Sequence, residues 1–179
     1  KSLLVQAEGR LRGLKIAIFV DFLMHNTCVQ EIQLIQTVLV YALPVLFAIT
    51  LHEAAHGYAA RHLGDPTAWQ MGRVTLNPWA HVDVLGTILM PVLLYFATSG
   101  AFLFGYAKPV PVNWGRLRHP KRDMIWVALA GPGSNLLQGL LWGVCWLVLS
   151  AMGVEERFFL EVCRAGLLVN VVMFAFNLF

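Results

Sequence analysis

Of the chain's 179 residues, 58% are hydrophobic and 13% are charged, and the net charge is +3. That is the composition of a membrane protein rather than of an average soluble domain. The small positive balance is no nucleic-acid signature, because its lysines and arginines gather near the N-terminus and in KPVPVNWGRLRHPKRD, beside apolar runs, where basic loops report membrane orientation.

In chain order, residues 1–32 hold an apolar stretch too short to span a bilayer and interrupted by Asp21, which reads as a basic interfacial segment with no assigned role. A cleaved signal peptide is the competing reading, but no small-residue cleavage site follows the stretch. The start at Lys1 and the end inside an apolar run give the expectation of a fragment of a longer protein. Residues 33–179 read as one membrane-embedded core. Leu34–Leu51, Val84–Tyr106 and Met124–Met152 carry no charge, and about 20 apolar residues cross a bilayer as helix. A fourth candidate, Phe158–Phe179, contains Glu161 and Arg164, which sit near one end and can pair or reach the interface. The expected fold is mainly α, a polytopic transmembrane helix bundle with a small Pro-rich β or re-entrant element. Cys28, Cys145 and Cys163 are too scattered for a disulfide framework or a cysteine zinc site.

The first long segment ends in TLHEAAHGYAA, where three titratable side chains interrupt an apolar helix. Each costs free energy there unless something satisfies it. His52 and His56 lie four residues apart, so on a helix they share a face and can grip one ion through their ring nitrogens. Glu53, on the flank of that face, can reach a water in the ion's open position, the general-base role in HExxH. Zn2+ is the expected cofactor. A catalytic zinc normally has a third protein ligand. His62 projects from another face, while His81, Asp65 and Asp83 follow the helix-ending GDP, and each reads as a cap, turn or interface residue.

The later segments add candidates. GPGSN places Gly131, Pro132 and Gly133 early in the third long run and so loosens a helix at about the depth of the histidines. Asn135 then supplies a buried amide, which can hold a developing oxyanion or serve as interhelical glue. The depths match only if Leu63 and Asp123 share a membrane face. A single crossing by Val84–Tyr106 would forbid this, whereas Pro91 and the break at Thr98–Gly100 would permit a re-entrant hairpin. The basic residues Lys108, Arg116, Arg118, Lys121 and Arg122 favour re-entry with this face cytoplasmic. In AKPVPVN, Pro109 and Pro111 remove donors from one edge of an extended strand, leaving Val110 and Val112 as donors on the other. That open edge could take a substrate backbone by strand addition, and a rigid interfacial turn is the alternative. Asn170 and Asn177 share a face of the last segment and read as bundle-facing glue.

HEAAHGYAARHLGDPTA, GRVTLNPWAHVDVLGT, GYAKPVPVN, RDMIWVALAGPGSN and NVVMFAFNLF, in this order, resemble the short bacterial members of the site-2 protease family, which are intramembrane zinc metalloproteases. The resemblance runs from about Leu34 to Phe179. It implies that His52 and His56 bind zinc, that Glu53 activates water, and that Asn135 lies near the site. It also implies a third ligand, an aspartate in a Pro-rich LDG segment, beyond the point where this sequence stops at FNLF. The expected function is hydrolysis of peptide bonds in or beside transmembrane segments of membrane proteins, in the bacterial inner membrane. The alternative from another class is a noncatalytic scaffold or metal-handling protein that retains HExxH.

Overall fold

The computed structural model describes residues 32–33, 35–98 and 105–178. The basic segment expected before residue 32 and the break expected at Ser99 and Gly100 lie outside the described residues. The chain divides into two units, Lys1–Leu39 and Val40–Phe179, and the second carries every site feature below.

Among the described residues, three helices are long and apolar enough to cross a membrane: α1 at Ile35–His62, α4 at Pro120–Ala151 and α5 at Arg157–Phe176. At about 1.5 Å per residue, even α5 reaches the roughly 30 Å of a hydrocarbon core. The burial pattern agrees, since Phe47, Leu129, Leu140, Leu147 and Leu168 point outward while Thr50, His52, Asn135, Gln138 and Asn170 are buried. A polar interior inside an apolar exterior is stable in lipid, where inward-facing polar groups find one another. The protein is an integral membrane protein. Glu161 and Arg164 pair on the exposed side of α5 at 3.6 Å, as their spacing suggested.

The remaining uncharged run is no span. After the four-residue helix α2 (Thr67–Gln70) and a 3-10 turn at Pro78–Ala80, Asp83 caps a π-helical turn at Val84–Leu89 that passes into α3, Met90–Ala97. The Asp83 carboxylate accepts the Gly86 N–H at 2.8 Å. Together these helical residues measure about 21 Å, too short to cross. The chain then returns to its start: Tyr106 N–H donates to the Gly86 carbonyl at 3.0 Å, and Thr87 Oγ1 donates to the Tyr106 carbonyl at 2.9 Å. Gly86 has to be glycine here, because a Cβ would overlap the Tyr106 ring. Gly86 and Tyr106, near the two ends of residues 84–106, therefore lie together, as a re-entrant run requires.

The same end of the bundle gathers the other loops. Arg118 N–H donates to the Leu63 carbonyl at 3.0 Å, so α1 finishes where α4 begins. Leu117 packs with Ala60 and Val127 beneath this junction, with Leu63 and Val112 against them. Gly153, at φ +70°, turns the chain between α4 and α5 at the opposite end. α4 remains one helix through Pro132 instead of breaking at GPGSN. No β-strand occurs among the described residues. Residues 107–113 form neither helix nor strand, and the Lys108, Val110 and Asn113 amides go to loop and side-chain acceptors.

Candidate metal centre

α1 carries His52 and His56 one turn apart, with their Nε2 atoms 3.1 Å from each other. Each ring is held by its other nitrogen. His52 Nδ1 meets Asn135 Oδ1 at 2.5 Å, and His56 Nδ1 meets the Val127 carbonyl at 2.7 Å. Both partners are oxygens that only accept, so each Nδ1 carries the proton and each Nε2 of a neutral ring presents a bare lone pair. Two lone pairs at this distance repel. A shared cation converts the repulsion into two bonds, and two imidazole nitrogens on one tetrahedral zinc stand about 3.3 Å apart. The donor set thus fits zinc. Among the described residues no third histidine, cysteine, aspartate or glutamate joins the pair.

GPGSN builds the opposite wall. A Cβ on Gly131 would overlap His56 Nε2, so only glycine lets α4 pass this close to the imidazoles. Pro132 has no N–H, which leaves the Ala128 carbonyl without its helical partner. The carbonyl one residue earlier, at Val127, is the one that takes His56. Ser134 Oγ donates to the Gly131 carbonyl at 2.8 Å. Asn135 is fully buried and fully engaged, since its Nδ2 donates to Asn170 Oδ1 at 2.9 Å and to the Ala48 carbonyl at 3.3 Å. The expectation that Asn135 donates to an oxyanion is corrected: its donor side faces away from the histidines, and its acceptor side holds one of them.

Glu53 is half-buried beside the pair, and its Oε2 accepts the Val110 N–H at 2.8 Å. This corrects the reading of Val110 as a free donor for substrate. Lys108 N–H, two residues earlier, donates to the His81 carbonyl at 2.9 Å. Val112 N–H has no partner among the described residues. Arg73 grips the same segment, its Nη2 donating to the Lys108 carbonyl at 2.9 Å and to the Pro109 carbonyl at 3.4 Å. Nothing in the spacing of GRVT revealed this role. The contact appears only when residues 35 positions apart are brought together.

The remaining candidates are structural. Asp65 is fully buried; Oδ1 accepts the Thr67 N–H at 3.0 Å, and Oδ2 accepts the Asn113 N–H at 2.6 Å. Burial alone would raise its pKa, but the Thr67 hydroxyl, the Asn113 and Thr67 amides and the Arg116 charge outweigh it and hold the carboxyl below its ordinary range. His81 is buried, with Nε2 on the Thr75 carbonyl at 3.0 Å, and His62 is exposed at the helix end. Asp83 is the cap described above.

Comparison with known proteins agrees with the site. The chain is 36% identical, over 75% of its length, to the Bacillus subtilis (strain 168) protein described as "Putative zinc metalloprotease YwhC". It is 31% identical, over 54% of its length, to the Mycolicibacterium smegmatis (strain ATCC 700084 / mc(2)155) protein described as "Putative zinc metalloprotease Rip2". The matched regions span 59% and 35% of those two proteins. No family model matches. No solved structure matches either. These relatives, with HExxH and GPGSN meeting at one point of a helical membrane core, support the resemblance to the zinc metalloproteases of the site-2 protease family.

Proposed function

We propose that the protein is an intramembrane zinc metalloendopeptidase of the bacterial inner membrane that cuts peptide bonds in or beside transmembrane segments of other membrane proteins. The observation that carries this reading is the pair of Nε2 lone pairs converging at 3.1 Å with both Nδ1 protons already placed. Zinc, when bound, supplies an electrophile for the scissile carbonyl and lowers the pKa of a water. His52 and His56 hold it through Nε2. Glu53 takes the proton of the attacking water and delivers it to the leaving amine. Val110 N–H anchors Oε2 of that carboxylate, while Oε1 has no partner among the described residues. Val112 N–H is the donor left for an unwound substrate backbone. The family resemblance supplies the third ligand as an aspartate after the FNLF stretch.

A scaffold or metal-handling role is the second reading, and the observation on its side is the histidine pair's lack of a third ligand among the described residues. Glu53→Gln in the full-length protein separates the two. For the enzyme, cleavage of a transmembrane substrate in detergent falls by at least about 100-fold, the usual worth of a general base, while zinc content stays at the wild-type level. Unchanged cleavage with Gln in place would sink the protease reading.

A further inference from the structure

Asn170, which opens the NVVMFAFNLF block and reads from the sequence as interhelical glue, is fully buried on α5 and bonded to the amide that holds His52. We propose that Asn170 is a positioning residue that sets the tautomer of His52 through Asn135, so that the ring presents an unprotonated Nε2 to the metal. The inference rests on the metalloprotease reading and names a residue two bonds removed from the histidine.

The argument follows the polarity of each link. Gly166 C=O is a backbone oxygen and can only accept. Asn170 Nδ2 donates to it at 2.9 Å, one helical turn back along α5. That orientation turns Asn170 Oδ1 toward α4. An oxygen there demands a donor, and Asn135 Nδ2 answers at 2.9 Å. Asn135 Oδ1 is then forced toward His52, where an acceptor demands the proton on Nδ1. Reversing any amide sets two oxygens face to face in a water-free interior, which costs far more than the bond it replaces. If Asn135 alone turned over, its NH2 would face His52 Nδ1, the imidazole proton would move to Nε2, and the metal's lone pair would be gone. The order is therefore anchored by a main-chain carbonyl, not by the side chains themselves.

Packing brings the two asparagines within reach. Gly139 lies one turn beyond Asn135 on α4, and a Cβ there would sit 3.4 Å from the Asn170 Cβ. The Ala48 carbonyl is a second acceptor for Asn135 Nδ2, but at 3.3 Å it lies beyond the usual hydrogen-bond range and holds less firmly. Asn170 is thus the main anchor, with Ala48 as partial support.

The test is zinc affinity, measured by competition with a zinc-chelating dye on the full-length protein in detergent, with thermal melting as the check on folding. Asn170→Ser is the informative variant, because a serine hydroxyl bonds back to the carbonyl four residues earlier, keeping the Gly166 link, but falls short of Asn135. Zinc binding is expected to weaken about tenfold, the low end for loss of an outer-shell partner, because Ala48 still biases the amide. Asn170→Asp, as the protonated acid expected at this buried position, donates to Gly166 through its O–H and keeps the acceptor for Asn135, so it should bind within about twofold of wild type. A relay also makes losses non-additive: with Asn135→Ala already present, adding Asn170→Ser should cost nothing more, whereas a purely structural role gives losses that add. If Asn170→Ser fails to fold, Asn170→Thr, whose hydroxyl makes the same back-bond, takes its place with and without Asn135→Ala by the same dye. Equal zinc affinity in wild type and Asn170→Ser, with His52→Ala unable to bind, overturns the relay and leaves the metal centre standing. Absence of zinc binding by the wild type overturns the metal reading, and the relay with it.

Discussion

Gly131 shows how much one missing methyl group decides. Its Cα faces both imidazoles, so the histidine pair and α4 occupy one layer that no other residue would permit. Gly131→Ala is expected to push His56 off the Val127 carbonyl, with an overpacking cost of about 1–3 kcal/mol and loss of most zinc binding. Equilibrium dialysis against zinc, paired with a thermal melt, checks this; full zinc occupancy would contradict the packing. HExxH was legible at this scale because its spacing alone puts both rings on one helical face. The role of Asn135 was open in the sequence, since an amide is both donor and acceptor. Which end meets the histidine depends on the rotation of α4 about its axis and on Asn170 across the α4–α5 contact.

Among elements, the Pro-rich segment is held by two charged side chains. Arg73 takes its Lys108 and Pro109 carbonyls and Glu53 of α1 takes the Val110 amide, so the segment is strung between a cation and an anion. Its alternating donors could be read from Pro109 and Pro111, because proline removes every second N–H. Their destination could not, because it depends on residues 57 positions away. Val110→Pro deletes the one N–H that touches Glu53. It should lower kcat about 10- to 100-fold, the scale of a lost outer-shell bond, with zinc content unchanged. Val110→Ala keeps the amide and serves as the control, and equal kcat in both would remove the bond from the mechanism. Re-entry was suggested by Pro91 and the basic loop, whereas the close approach of Gly86 and Tyr106 could not be read from the sequence.

For the whole molecule, the loops at the metal-centre end are tied together by Asp65, which joins the end of α1, the start of α2 and the approach to α4. Its pKa is depressed on folding. The sign follows directly: a carboxylate that is harder to protonate in the folded state stabilises fully above its unfolded pKa, and that stabilisation is lost as pH falls through the folded value. Asp65→Asn should therefore lower the melting temperature at neutral pH, with a gap that shrinks below about pH 4. A pH-independent gap would show that the carboxylate's charge is irrelevant. Membrane class, helix number apart from the re-entrant run, and the meeting of HExxH with GPGSN were legible because lipid imposes length, apolarity and an inward polar face. Long-range amide contacts were not, because they depend on three-dimensional rotation rather than on spacing.

The bond between Leu63 and Arg118 has one more consequence. With α1 ending, the short hairpin opening and α4 beginning together, the proposed protease would open to one aqueous compartment. Its hydrolysis would then have a direction: the severed piece that is free of lipid would depart on that side, and the other half would stay behind in the bilayer.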